Sequence, residues 1–170
     1  LAESGLPYRW EGQLTGTAYY SDVKNDIYLF PSPDEVEGST IEGYFANIPK
    51  TRRVGLELAG RYAFGEAHSL YANYAYTRAT FQSVAEIFSV LEDIGIENET
   101  EPGDLIPLVP LQQFKAGVNL RFGFGLRAGA DLRWIGEQVY QQDEANNMPK
   151  LPSYFVADLR AGWEVGKWEI

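Results

Sequence analysis

The sequence predicts an all-β fold, an antiparallel up-and-down transmembrane β-barrel segment, on three observations. Long runs alternate strictly between apolar and polar residues, the signature of strands with two unlike faces. Aromatic residues cap the ends of the apolar faces, and the connections alternate between long and short, as in outer-membrane barrels.

Phe114 to Trp134 shows the pattern most clearly. Phe114, Ala116, Val118, Leu120 and Phe122 are apolar, as are Leu126, Ala128, Ala130, Leu132 and Trp134. Between them stand Lys115, Gly117, Asn119 and Arg121, then Arg127, Gly129, Asp131 and Arg133. Gly123-Phe124-Gly125 keeps the parity through a three-residue hairpin loop. That register sets Phe114 opposite Trp134. Phe114 to Phe122 spans about 27 Å at about 3.3 Å per residue. Tilted by about 45°, this gives roughly 19 Å along a membrane normal, somewhat under an apolar band of about 25 Å.

The other elements follow in order. Residues 1–9 read as a loop with Gly5 and Pro7 as breakers. A strand starts at Trp10, with Leu14, Ala18 and Tyr20 on the apolar face, and runs less regularly through 22–26 to Phe30. A polar loop covers 31–47, and the next strand runs from about Arg53 to Phe64, with Val54, Leu56 and Leu58 on one face. After a short turn at 65–67, a third strand extends from about His68 to Gln82. Its outward set is Leu70, Ala72, Tyr74 and Tyr76, and Arg78 falls beyond the aromatic end of that face. Residues 83–109 form a long acidic loop in which Ala85 to Glu92 has the spacing of one or two helical turns. The Phe114–Trp134 hairpin follows, then a loop at 141–152 and a strand from Tyr154 to Val165. Gly166-Lys167 turns into the start of a seventh strand at Trp168.

Composition sets further bounds. The chain of 170 residues suits one domain. Its net charge of −10 argues against a nucleic-acid partner, which needs a basic surface. With no cysteine, neither a disulfide nor a thiolate metal site can form. No apolar run reaches the length of a transmembrane helix. The slightly negative mean hydropathy does not oppose a barrel, because half of every strand is polar. Leu1 to Gly5 has neither the basic start nor the apolar run of a signal peptide. About six full strands fall short of the roughly eight that close the smallest membrane barrels, so a piece of a larger barrel is expected.

Several stretches together resemble the late barrel strands of TonB-dependent outer-membrane receptors. They are Ala18-Tyr19-Tyr20-Ser21-Asp22-Val23-Lys24-Asn25-Asp26-Ile27, Arg53-Val54-Gly55-Leu56-Glu57-Leu58 and Ala72-Asn73-Tyr74-Ala75-Tyr76-Thr77-Arg78. Pro102-Gly103-Asp104-Leu105-Ile106-Pro107, Asp143-Glu144-Ala145-Asn146 and Leu151-Pro152-Ser153-Tyr154 complete the set. The resemblance implies a barrel of about 22 strands filled by a plug domain. It implies a bacterial outer-membrane location, with lipid, the plug of the same parent chain and TonB (reached through that plug) as partners. The ligand would be a scarce small molecule such as a metal chelate, a ferric siderophore for instance, bound on the long-loop side and imported with TonB-supplied energy. The stretches carrying the resemblance include no plug, no TonB-contacting segment and no final strand with a terminal aromatic, so residues 1–170 read as part of the barrel domain.

Two other readings stand beside this one: a passive porin-like channel, and a soluble all-β binding domain with the apolar face buried inward. Tyr28, Phe30, Phe81 and Tyr140 are the candidate ligand-contacting aromatics at the outer rim, with girdle residues as their bland alternative. The polar-face charges Glu57, Arg61, Lys115, Arg121, Arg127, Asp131, Arg133, Asp158, Arg160 and Glu164 either line a ligand path or pair with each other and the plug. The acidic loop has no regular ligand spacing for a cation, and no cofactor is expected. His68 is the only histidine, and no serine lies in a nucleophile-elbow context, so an enzyme is not expected.

Overall fold

The computed structural model describes residues 11–31, 43–65, 67–86, 99–165 and 168–169. Its strands are β1 (Glu11–Pro31), β2 (Gly43–Phe64), β3 (His68–Phe81), β4 (Ala85–Glu86), β5 (Glu99–Thr100), β6 (Gln112–Arg121), β7 (Leu126–Ile135), β8 (Tyr154–Val165) and β9 (Trp168–Glu169). One seven-stranded sheet runs β1-β2-β3-β6-β7-β8-β9, and β4 pairs with β5 alone. Every pairing is antiparallel, and all join chain neighbours except β3–β6, which skips the short β4–β5 excursion. No helix occurs among the described residues.

The central hairpin has the predicted register: Phe114 faces Trp134, and Arg121 faces Arg127. Gly125 takes φ +94°, a left-handed conformation that glycine adopts without a Cβ penalty. The Phe122 amide donates to the Leu126 carbonyl at 2.8 Å and closes the loop.

The apolar face is covered by no other described part of the chain. Leu14 is 83% exposed and Leu159 is 85% exposed, and Leu56, Leu58, Leu70 and Leu132 are also exposed. A soluble sandwich would have buried these residues, and none belongs to the core. Tyr74, Phe114, Trp134 and Phe155 stand directly opposite one another across four strands. At the short-turn end, Phe64, His68, Phe122, Phe124 and Trp163 form a continuous ring chain with centroids 5.3–5.7 Å apart. Two aromatic rows thus bracket an aliphatic band, the girdle pattern of a membrane barrel. His68 is one link of the lower row, and its Nδ1 accepts from the Arg121 amide at 3.2 Å.

The first hairpin differs from expectation. β2 begins at Gly43, so residues 43–47, expected as loop, and the unassigned 48–52 continue the ladder. β1 has 21 residues and β2 has 22, where about 9–11 tilted residues cross a bilayer. Asn25 (φ 54°) and Pro49 break the ladder, which steps from Lys24–Lys50 to Asp26–Ile48. Proline has no N–H to donate, and asparagine tolerates the left-handed region. Above this break the faces trade places: even-numbered Asp26 and Tyr28 now meet odd-numbered Thr51, Arg53 and Phe81.

The 83–109 stretch is also more ordered than a free loop. Ala85 and Glu86 pair with Thr100 and Glu99 as strand, in place of the expected helical turn there; residues 87–92 of that expectation lie outside the described set. Residues 103–106 dock on the upper end of β3. The Gly103 amide donates to the Phe81 carbonyl, the Phe81 amide to Asp104 and the Ile106 amide to Ala79, at 2.9–3.0 Å. A small core forms at this level from Ile48, Ala79, Phe81 and Ile106, with Tyr28, Ala85 and Val109 packed against it.

Candidate functional site

The polar face of the sheet and the rim above it hold the wall charges and the candidate rim aromatics. On the polar face, three long side chains cross glycines to reach the next strand but one. Tyr19 on β1 lies over Gly55 on β2 and shares a 2.7 Å hydrogen bond with Thr77 Oγ1 on β3. Tyr71 on β3 lies over Gly117 on β6 and donates to Asp131 on β7. Arg160 on β8 lies over Gly129 on β7 and donates to Asn119 Oδ1 on β6 at 2.7 Å. In each case the three residues occupy one cross-strand row. The glycine is required by the close approach: a Cβ on Gly117 would come within 2.6 Å of the Tyr71 ring, and one on Gly129 within 2.6 Å of Arg160 Nε. These ties brace the sheet beyond its ladder bonds. The glycines were assigned to the polar face from the sequence, but their role needed the register.

Many of the wall charges pair with each other. Asp131 accepts from Arg160, and Glu164 accepts from Arg127, with Arg121 at 4.0 Å. A second group makes no direct salt bridge among the described residues: Lys115 faces Arg133, acts on the Asp131 carboxylate only from a distance, and has its Nζ 5.5 Å from the Tyr71 ring centroid. Two like charges side by side in a wall disfavour each other unless an anion or water lies between them. Lys115 and Arg133 line an open hollow with Glu57, Asn73 and Gln113.

The rim brings together two of the four aromatic candidates. Tyr28 packs edge-on against Phe81 at 5.8 Å, and its hydroxyl donates to Glu144 Oε1 at 3.1 Å. Burial first, and then the neighbouring Glu144 carboxylate, push the Tyr28 phenol above its ordinary range, so it remains a donor. Phe81 is fully buried, so its side chain offers no surface to a ligand in this arrangement. Tyr140 is exposed, and its carbonyl accepts from the Asp143 amide at 3.3 Å. The Phe30 side chain lies outside the described residues.

The run Asp143-Glu144-Ala145-Asn146 is a latch. Asp143 and Glu144 are each only 1% exposed. Asp143 Oδ1 accepts from the Asn147 amide at 2.7 Å, and Asn146 clamps Leu105 through both its amide (2.9 Å) and its carbonyl (3.0 Å). Asn146 takes φ 56°, which its short amide side chain tolerates. Through this latch, the loop after β7 holds the docked 103–106 segment and β1 together. The sequence marked the run but not its function, because its partners lie 41 and 116 residues away.

Charged ties continue below the latch. Thr51 Oγ1 donates to Asp26 Oδ2 at 2.6 Å, and Arg53 Nη2 does so at 2.9 Å. Burial pushes the Asp26 carboxyl up, but these two hydrogen bonds, with the Arg53 charge, outweigh it and hold the group below the usual carboxylate range. On the opposite face, Arg52 grips Asp22 with two hydrogen bonds and holds its carboxyl well below the usual range against partial desolvation; Lys50 adds a 3.2 Å pair. No cluster of metal-ligating side chains occurs among the described residues.

Comparison with known proteins agrees with this architecture. Residues 3–170 match the family described as TonB dependent receptor-like, beta-barrel. The chain is 26% identical over 168 residues to the ferrioxamine receptor of Yersinia enterocolitica, covering 98% of this chain and 20% of the relative. The copper transporter OprC superposes with a TM-score of 0.58 at 16% identity, over 92% of this chain and 21% of that one. The chain therefore spans about a fifth of the length of these relatives.

Proposed function

Because the chain belongs to the TonB-dependent receptor family, within its β-barrel domain, we propose that it forms wall and outer rim of a bacterial outer-membrane receptor. That receptor imports a scarce metal chelate with energy delivered by TonB through a plug domain of the parent chain. The family is one of receptors and transporters rather than enzymes. One observation carries the proposal: an aliphatic band closed by aromatic rows occupies one face of the sheet, while ion pairs and glycine-crossing ties occupy the other. Such a sheet suits a wall between acyl chains and a polar interior.

In this reading the polar face meets the plug and the passing ligand. The adjacent cations Lys115 and Arg133 suit an anionic group from either. The ordered rim, with Tyr140 and the latch at 143–146, borders the ligand's entry. A siderophore is the favoured ligand class, since the relative over nearly the whole chain is a ferrioxamine receptor.

The test is uptake of radiolabelled ferrioxamine by cells carrying the full-length parent receptor, with and without TonB. Uptake that requires both the receptor and TonB is expected. Passage that persists at full rate without TonB would replace the proposal with the porin-like channel. Uptake of copper but not of ferric chelate would move the ligand class to that of the copper transporter.

A further inference from the structure

One apolar side chain at the rim is held where neither packing nor backbone preference favours it. Leu108 has φ 59°, in the left-handed region, and is the only large apolar residue with a positive φ among the described residues. A bulky side chain is an outlier there, because its Cβ crowds the following carbonyl and it has no polar group to bond locally in return. The neighbours on either side turn inward: Pro107 is buried, and Val109 packs against the small core of Ile48, Ala79, Phe81 and Ile106. Leu108 turns outward and is 48% exposed. A single exposed leucine needs no explanation. An exposed leucine on a strained backbone does, because the strain brings the fold no burial of that side chain.

The rest of the rim holds this strain in place. The Leu108 amide donates to the carbonyl of the buried Val139 at 3.1 Å. The next residue is the exposed Tyr140, whose own carbonyl accepts from the Asp143 amide at the start of the latch. Gln142 and Asn146 also take positive φ, 74° and 56°. Three of the four left-handed non-glycine residues among the described ones thus lie in the two segments that the latch ties together. An aliphatic side chain and an aromatic one are thereby offered to solvent one hydrogen-bonded step apart. A hydrated ion would gain nothing from such a pair, whereas a hydrocarbon segment laid against it would leave water.

We propose that Leu108 is a ligand-contacting residue, which together with Tyr140 packs against a hydrocarbon segment of the imported chelate. The inference rests on the receptor reading above and narrows its ligand to a metal carried inside a partly apolar molecule, in place of a bare hydrated ion.

The test is equilibrium binding of radiolabelled ferrioxamine, a chelate with methylene spacers, to the purified full-length receptor and its variants. Leu108→Asn removes the apolar contact and suits the left-handed backbone. Its binding should weaken about tenfold, the effect of losing roughly half the burial of a leucine side chain. Hydrogen-exchange protection of residues 103–106 and 143–146 should stay at or above the wild-type level in that variant, since the strain is relieved. Leu108→Met keeps an apolar side chain and should keep most of the affinity. Undiminished binding by Leu108→Asn, or an equal loss in Leu108→Met, overturns this inference alone. So does a loss of binding that comes with lost protection, which would make Leu108 a structural residue. Wild-type receptor that binds no ferrioxamine sinks the siderophore reading and this inference together.

Discussion

The sheet's aliphatic band and the rim above β3 solve the problem of burial in opposite ways. In the band, Leu56, Leu70, Leu132 and Leu159 are exposed, with no other described part of the chain covering them, which suits an apolar solvent. At the rim, the chain folds back on itself and encloses Ile48, Ala79, Phe81 and Ile106, as a soluble protein would. The change coincides with the ladder break at Asn25 and Pro49, where the faces trade places. One sheet can therefore serve two solvents if its strands switch faces where the solvent changes. In the proposed reading the band depends on the membrane for its stability, and the rim depends on its latch.

The largest separation of the two regions is expected from Phe81→Ala. Emptying this fully buried site should cost the rim about 3–5 kcal/mol. Hydrogen exchange on the full receptor should show residues 103–106 and 143–146 losing protection while β6 and β7 keep theirs. Loss of protection in all of them together would mean that rim and band are one cooperative unit. Ala130→Arg probes the band in the opposite sense. An arginine on the aliphatic face should cost about 2–4 kcal/mol, read by unfolding in phospholipid vesicles, and leave the rim intact. Its neighbour gives the control: Asp131→Asn keeps an oxygen for Tyr71 to donate to, and should cost less than Ala130→Arg.

Gly117→Ala sharpens the comparison inside the band. Its Cβ must displace the Tyr71 ring, and overpacking of this kind costs about 1–3 kcal/mol. Tyr71→Phe in the same background should then add nothing further, because the tie to Asp131 is already lost. The smallest effect is pH dependence at the rim. The folded-state pKa of Asp26 lies below its ordinary carboxylate value, so its contribution is present above the unfolded value and is lost as pH falls through the folded one. Relative to an unfolded substrate cleaved at the same pH, pepsin susceptibility of the rim should rise as the medium is acidified through the carboxylate range, and Asp26→Asn should flatten that rise.

Much of the band was legible in the sequence. Alternation is a local property with a period of two, so the parity of Phe114 to Trp134 fixed both faces and the hairpin register before any contact was known. The short turns carry glycine where φ is positive, as at Gly65 and Gly125. The rim was less legible for the same reason. Residues 43–52 lack clean alternation because Pro49 interrupts it, and residues 103–106 pair with β3 through backbone bonds that leave no side-chain pattern. Phe81 read as a rim aromatic because its position in the strand is at the end. Only the docked loop makes that end an interior.

By itself, then, the order of residues determined which side chains share a face, where the chain turns and where the aromatics fall, since each depends on neighbours a few positions away. The tertiary structure alone decided that Tyr71 spans Gly117 to Asp131, that Arg160 spans Gly129 to Asn119, and that Asn146 clamps Leu105. Those contacts join residues 41–60 positions apart, and only the assembled register brings them within reach.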